Sequence, residues 1–167
     1  DLFQETYERL SADGSEIVSI HLSSKMSGTL NAASVAREVV KASAHVDLID
    51  SYQVSLGLGV IVMEAALAAQ SGKSLAEVVG ATRRAMDSTG VYLLVDTLEF
   101  LRRGGRIGRA SSLLGSILSI KPILHVEDGE VAPVERVRTK AKAVERIFQL
   151  ALKHPRSKTL FVAYGGD

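Results

Sequence analysis

The sequence predicts an α/β protein: a parallel-sheet, Rossmann-like part followed by a smaller mixed α+β domain with an antiparallel hairpin. Three observations carry that prediction. Two short β-branched runs, Ile17-Val18-Ser19-Ile20 and Val46-Asp47-Leu48-Ile49, flank a helical stretch, and a strand–helix–strand order with so long a crossover implies a parallel pair. Two consecutive helical stretches follow. After Thr89-Gly90 the alternation gives way to an apolar run, a short helix and two strands joined by Glu127-Asp128-Gly129, a hairpin signature.

The elements follow in order. Phe3, Tyr7 and Leu10 have helical spacing, and Ser11-Ala12-Asp13-Gly14-Ser15 stops that helix and turns the chain. A strand at 16–21 comes next. From Gly28 to Lys41 the apolar positions Leu30, Ala33, Ala36, Val39 and Val40 predict a helix packing one face on a sheet. The second strand covers 46–49. Helices are expected at 56–70 and 74–87, the first apolar nearly all round and so buried beneath other elements, with Ser71-Gly72-Lys73 between them. The second part contains a strand at 91–95, a helix near 97–103, strands at 117–126 and 130–137, a helix at 139–153 and a closing strand at 159–163. The domain boundary is expected near residue 89, giving parts 1–89 and 90–167.

Composition narrows the function. The chain has 167 residues, 46% hydrophobic and 23% charged, which is a globular composition. Its net charge of +1, with basic residues spread except at Arg102 to Arg109, gives no electrostatic footprint for nucleic acid. With no cysteine there is no disulfide framework and no thiolate site, which suits a cytoplasmic protein. The most apolar stretch, Val60 to Ala69, contains Glu64 and is far short of the ~20 residues of a membrane span. No signal peptide is visible at the start, and the first residue, Asp1, suggests a processed, excised or truncated chain.

The chemistry-bearing segment is Ser23-Ser24-Lys25-Met26-Ser27-Gly28-Thr29, between the first strand and the following helix. Hydroxyls, backbone N–H groups and a helix N-terminus meet there, the ingredients of an anion site without a metal. Capping alone, with Ser27 or Thr29 accepting N–H bonds, needs only one hydroxyl, whereas four lie between Ser23 and Thr29. The loop that leaves the second strand, Asp50-Ser51, opens on the same sheet edge, where open α/β sheets bind ligands.

Other motifs have plainer readings. Ser71-Gly72-Lys73-Ser74 resembles the tail of a phosphate loop, but Leu67 stands where a glycine is needed, and a helix precedes it; it is read as a turn with Ser74 as N-cap. Gly57-Leu58-Gly59 is read as close packing. Hydrolysis on Ser23, Ser24 or Ser27 would need a base held by a third group, and no Gly-x-Ser-x-Gly elbow exists. His45, His125 and His154 lack metal-ligand spacing, so no metal is expected. In Leu101 to Arg109, Arg102 and Arg103 suit the last turn of a helix and Gly104 or Gly105 its left-handed cap, leaving Arg106 and Arg109 either in a solvated loop or on a docking surface.

Four ordered segments resemble the DegV family. Ile20 to Thr29 is similar to its serine-rich ligand loop and Ile49-Asp50-Ser51 to its aspartate–serine step. Val95 to Ile107, and Ile120-Lys121-Pro122-Ile123-Leu124 with Asp128-Gly129, resemble its central signature. The resemblance implies a lipid-binding protein that is not itself an enzyme. It would bind a long-chain fatty acid, bury the acyl chain, and present the carboxylate to an ATP-dependent fatty-acid kinase subunit of a bacterial cytoplasm. Ser23 and Ser24 would hold the carboxylate, supported by Ser27, Gly28 and Thr29; Arg102, Arg103 and Arg106 become candidates for docking the kinase. No catalytic residue and no cofactor besides the lipid is implied, and membrane contact would be transient and at the surface. The family's N-terminal strand and loop and its C-terminal His-containing loop have no counterpart here, so the resemblance implies a central portion, incomplete at both ends. A phosphotransferase or hydrolase on the same scaffold, and a ligand-free interaction module, are the alternative classes.

Overall fold

The computed structural model describes residues 2–115, 120–153 and 159–165. They form an α/β fold with a two-stranded parallel sheet and a three-stranded antiparallel sheet. The chain divides into two compact units, 1–89 and 90–167.

The first unit contains α1 (Leu2–Leu10), β1 (Ile17–His21), α2 (Thr29–Val40), β2 (Val46–Asp50), α3 (Ser55–Gln70) and α4 (Leu75–Ser88). β1 and β2 pair in parallel from Ile17 opposite Val46 to His21 opposite Asp50, so the strands end level. Successive β1 side chains serve opposite faces, as a period of two requires. Ile17 packs with Tyr7, Ala33, Ala36, Val40 and Val46 from α1, α2 and β2, while Val18 and Ile20 pack with Ala65, Ala68 and Val78 from α3 and α4. Helices on both faces are what a buried parallel strand needs, and they explain the β-branched composition of β1.

α4 starts as expected at Ser74, whose backbone N–H and hydroxyl both donate to Glu77 at 2.9 and 2.7 Å. Those bonds hold the Glu77 carboxyl below its usual range. The Ser71-Gly72-Lys73 segment ends α3. Gly72 takes φ +78°, and the N–H groups of Gly72 and Lys73 donate back to Ala69 and Ala68, a Schellman cap that accounts for the glycine without a phosphate.

One expectation for α3 is corrected. The helix buries Gly57, Ile61, Ala65 and Ala68 along one face, but Val62, Met63 and Leu67 are 41, 39 and 53% exposed. Its hydrophobicity is all-round, yet a helix is covered only where a neighbour packs, and α4 is its principal partner.

The second unit contains β3 (Tyr92–Leu94), α5 (Glu99–Arg103), a 3₁₀ helix at Gly108–Leu113, β4 (Lys121–Glu127), β5 (Glu130–Val137) and α6 (Lys140–Leu152). The sheet order is β3-β4-β5, all antiparallel. Asp128 and Gly129 both have positive φ, +51 and +79°, the type I′ geometry whose twist matches a hairpin. Pro133 sits in the edge strand β5 beside a register shift at Ile123/Leu124, where a missing N–H costs no central ladder bond. α6 lays Ala143, Ile147 and Leu150 against Ile123 and its neighbours.

The expected strand at 117–126 is observed from Lys121, and residues 117–119 lie outside the described residues. The strand expected at 159–163 is not formed: these residues have no regular structure, and Leu160 and Val162 are 62 and 72% exposed. Apolar and β-branched residues favour a strand only where another strand supplies the ladder, and among the described residues none pairs with these. The 3₁₀ helix was not expected. Its Gly108 has φ +50°, and a β-carbon there would lie 2.7 Å from the Val131 carbonyl.

Replacing Gly108 with Ala therefore imposes both backbone strain and a backbone clash. It should lower stability by about 1–3 kcal/mol, seen as a reduced urea midpoint by circular dichroism with little change in slope.

Candidate functional site

Because β1 and β2 end level, the chain leaves both strands at one edge, and the two exit loops are laced together. The Ser51 N–H donates to the His21 carbonyl at 3.0 Å, continuing the ladder, and the Ser23 N–H donates to the Gln53 carbonyl at 2.9 Å. Ser23 is fully buried, Ser51 is 1% and Gln53 9% exposed. The Ser51 Oγ accepts the Gln53 N–H at 3.1 Å, and the Ser23 Oγ accepts the Lys25 N–H at 3.3 Å. Each buried serine thus tightens its own turn, in the local side-chain-to-backbone pattern that serine favours.

The rest of the 23–29 loop has a different character. Ser24 is exposed. The Ser27 Oγ accepts the Thr29 N–H at 3.3 Å and lies 2.7 Å from the Thr29 hydroxyl, while Gly28 occupies the N-cap position of α2. Gly28 supplies no side-chain cap, and Ser27, one residue earlier, satisfies the first N–H group of α2 instead.

The aspartate at the end of β2 is the centre of this edge. The Ser24 N–H donates to both Asp50 carboxylate oxygens at 3.3 Å, and the Tyr52 N–H donates to Asp50 Oδ1 at 3.0 Å. Tyr52 and Ser55 both adopt φ +51°, unusual for residues other than glycine, so the 51–55 loop carries two strained positions within four residues. The sequence signal for this aspartate lay in the Asp50-Ser51 step, but its grip on Ser24 could not be read from spacing.

Beneath the edge a polar chain runs along the face of β1 that α1 and α2 cover. The Tyr7 hydroxyl lies 2.8 Å from Ser19 Oγ, which lies 2.8 Å from His21 Nε2, and Phe3 meets the His21 ring edge-on at 5.4 Å. His21 is 5% exposed. Burial holds its pKa below the usual histidine range, and the Asp50 charge across the strand pair opposes that shift only in part. Sequence reasoning passed over this histidine because nothing in the spacing of Tyr7, Ser19 and His21 marks three elements meeting. His45 is 59% exposed, near Glu16 and Asp47, and His125 stacks on Tyr92; His154 lies outside the described residues.

The basic segment sits in the second unit. The Gly105 and Arg106 N–H groups donate back to Arg102 and Leu101, with Gly105 at φ +72°, so α5 ends in a Schellman motif at the expected glycines. Arg103 pairs with Glu99 at 2.5 Å, and an Arg106 guanidinium nitrogen donates to the Gly104 carbonyl. Arg109 crosses to the hairpin turn, bonding the Glu127 carbonyl at 2.8 Å and its carboxylate at 2.9 Å. Arg109 therefore has a structural partner. Arg102, Arg103 and Arg106 remain exposed.

Among the described residues no group of three or more His, Cys, Asp or Glu is arranged to hold a metal ion, and no helix is long and apolar enough to cross a membrane. A cleft of about 430 Å³ lies beside β1 between α3 and α4, lined by Val18, Ile20, Val62, Ala65 and Val78 with Lys73 at its rim. No residue of the 23–29 loop lines it.

A parallel strand pair with interlocked exit loops in one unit and an antiparallel hairpin in the other define a two-unit α/β protein with a small polar site at a strand edge. The family model described as "Uncharacterised protein, DegV family" matches residues 1–167, and the chain belongs to the DegV family. It is 43% identical over 152 residues to a DegV domain-containing protein of Streptomyces coelicolor, covering 90% of this chain and 53% of that protein. With one from Clostridium perfringens it shares 36% identity over 161 residues, 95% of this chain and 57% of the relative. Among solved structures, a fatty-acid-binding DegV family protein from Thermus thermophilus superposes with a TM-score of 0.86 at 33% identity, covering 92% of this chain and 54% of that one. DegV of Bacillus subtilis, described as a fatty acid binding protein, gives 0.80 at 33%, covering 91% and 54%. The chain thus spans about half the length of the relatives it matches.

A histidine with a depressed pKa binds its proton more readily unfolded, so its contribution to stability is intact above pH 6.5 and is lost as pH falls below that value. Urea midpoints should decline below pH 6.5, and His21→Gln, which keeps a polar partner for Ser19 but does not titrate, should flatten that decline.

Proposed function

We propose that this chain forms the head-group-binding part of a fatty-acid carrier that presents a long-chain acyl group to a separate ATP-dependent kinase subunit. The observation that carries the reading is the interlocked strand edge at Ser23, Ser24, Asp50 and Ser51 in a chain one-third identical to solved DegV proteins described as fatty-acid binding. Ser24 is exposed and offers its hydroxyl to a carboxyl oxygen; Ser23, buried, sets the turn that places it, and Ser27, Gly28 and Thr29 fix the start of α2 behind.

Magnitudes divide the work between tail and head. A sixteen-carbon tail buries about fifteen methyl or methylene groups at ~0.8 kcal/mol each, roughly 12 kcal/mol before ordering costs. A hydrogen bond to a charged head contributes only about 1.5–3 kcal/mol. Affinity belongs to the tail and orientation to the loop. Orientation is what a phosphoryl acceptor requires, because holding an oxygen in line with the γ-phosphate is most of what a protein contributes to that transfer.

Catalysis in this reading belongs to the kinase, and the carrier works in the cytoplasm. Arg102, Arg103 and Arg106 supply an exposed cationic surface in the second unit for an acidic face of the partner. Arg102 is the strongest candidate of the three, since it makes no ion pair among the described residues, whereas Arg103 is shared with Glu99.

In the complete protein, Ser23→Ala with Ser24→Ala should lower acyl phosphate formation by roughly ten- to a hundredfold, the loss of one hydrogen bond to the head, with an unchanged circular dichroism spectrum. Ser24→Ala alone, at an exposed position, should show most of that loss; unchanged kinetics in both variants would remove the assignment. Arg106→Ala should weaken coupling to the kinase while lipid retention, measured by mass spectrometry of the purified protein, stays constant. Equal loss of both would mark Arg106 as structural.

A further inference from the structure

One donor of the serine loop and one of the loop after β2 are already engaged by an anion that belongs to the protein. The Ser24 and Tyr52 N–H groups both point at the Asp50 carboxylate, at 3.3 and 3.0 Å. Gln53, whose carbonyl holds Ser23, adds a second acceptor in the same loop: its side-chain Oε1 is enclosed and has no hydrogen-bond partner. A buried acceptor without a donor is costly, and native proteins rarely leave one unless a ligand or water completes it.

The charge balance points the same way. Among the described residues no Lys or Arg forms an ion pair with Asp50. His21, its neighbour across the strand pair, is held toward its neutral form by burial, and the Lys25 ammonium in the serine loop makes no ion pair. A second carboxylate at this edge would meet the Asp50 charge, which the exposed Lys25 of the serine loop does not neutralise by an ion pair. Two carboxyl groups in one small site resolve that conflict by sharing a proton.

Resting on the fatty-acid reading above, we infer that Asp50 is the specificity-determining residue of the site and that the lipid head is held as the un-ionised carboxylic acid, its O–H donated to the Asp50 carboxylate. The Ser24 hydroxyl then donates to the carbonyl oxygen of the same head. Binding a fatty-acid anion from neutral solution takes up one proton from the solvent, which resides between the two carboxyl groups. Lipids with a permanent anion lack that proton and are disfavoured, whatever their tail.

The test is isothermal titration calorimetry of the complete protein with palmitate at pH 7.5, in two buffers of different ionisation enthalpy. About one proton should be taken up per palmitate bound, and hexadecyl sulfate should bind at least tenfold more weakly than 1-hexadecanol, which has the same tail and a neutral O–H. In Asp50→Asn the proton uptake should vanish and hexadecyl sulfate should gain about tenfold. Palmitate binding without proton uptake, or hexadecyl sulfate binding the unsubstituted protein as tightly as hexadecanol, would overturn the role of Asp50 and leave the fatty-acid reading standing. Failure of palmitate itself to bind would overturn both. The proton count and the sulfate-to-alcohol ratio of the unsubstituted protein decide the matter even if Asp50→Asn does not fold.

Discussion

The level ending of β1 and β2 is the constraint on which the first unit's site depends. Parallel strands in register from Ile17/Val46 to His21/Asp50 release both chains at the same height, so one more ladder bond, Ser51 to His21, and one cross-loop bond, Ser23 to Gln53, are enough to lock the exit loops together. A shift of register by one residue would turn Val18 and Ile20 away from α3 and α4 and separate Ser24 from Asp50. Core packing on two faces and the geometry of the edge are therefore set by the same pairing.

The polar residues of β1 illustrate how closely the core and the edge are coupled. Ser19 and His21 occupy positions that alternation assigns to the α1 and α2 side, where a hydroxyl and an imidazole would be costly alone. Tyr7 reaches across from α1 to complete the chain of hydrogen bonds, and Phe3 covers the ring. In the second unit Arg109 plays a comparable part, carrying its charge to the carbonyl and carboxylate of Glu127 at the hairpin turn, while Gly108 lets the 3₁₀ helix approach the backbone of β5.

The serine loop gains its meaning from what its N–H groups already hold. A loop rich in hydroxyls at a helix N-terminus suggests an anion receptor, and here an anion is present in the form of Asp50. Such an internal carboxylate preorganises the loop before any ligand arrives, which lowers the ordering cost of binding. In the proposed reading it would also make the edge selective by protonation, a property that no count of serines conveys. The strained φ values at Tyr52 and Ser55 flank Gln53 in the connection from β2, which ends on this carboxylate, to α3, where local strain is sustained by the bonds that surround it.

The sequence alone determined the order and type of the regular elements, because period, caps and turn residues are local. Ile17 to Ile20 and Val46 to Ile49 mark the strands, Ser74 with Glu77 the start of α4, Gly72 and Gly105 the helix ends, and Asp128-Gly129 the hairpin. It located the candidate edge as well, since a parallel pair must release both exit loops on one side. Tertiary structure decided which of the serines is buried, that the Asp50 carboxylate receives the Ser24 N–H, that Tyr7, Ser19 and His21 form one chain, and that Arg109 belongs to the hairpin. It also decided that the apolar residues at 159–163 do not form a strand and that half of α3 stays uncovered. These outcomes depend on partners distant in the chain, and a residue's own propensity carries no information about which partner reaches it.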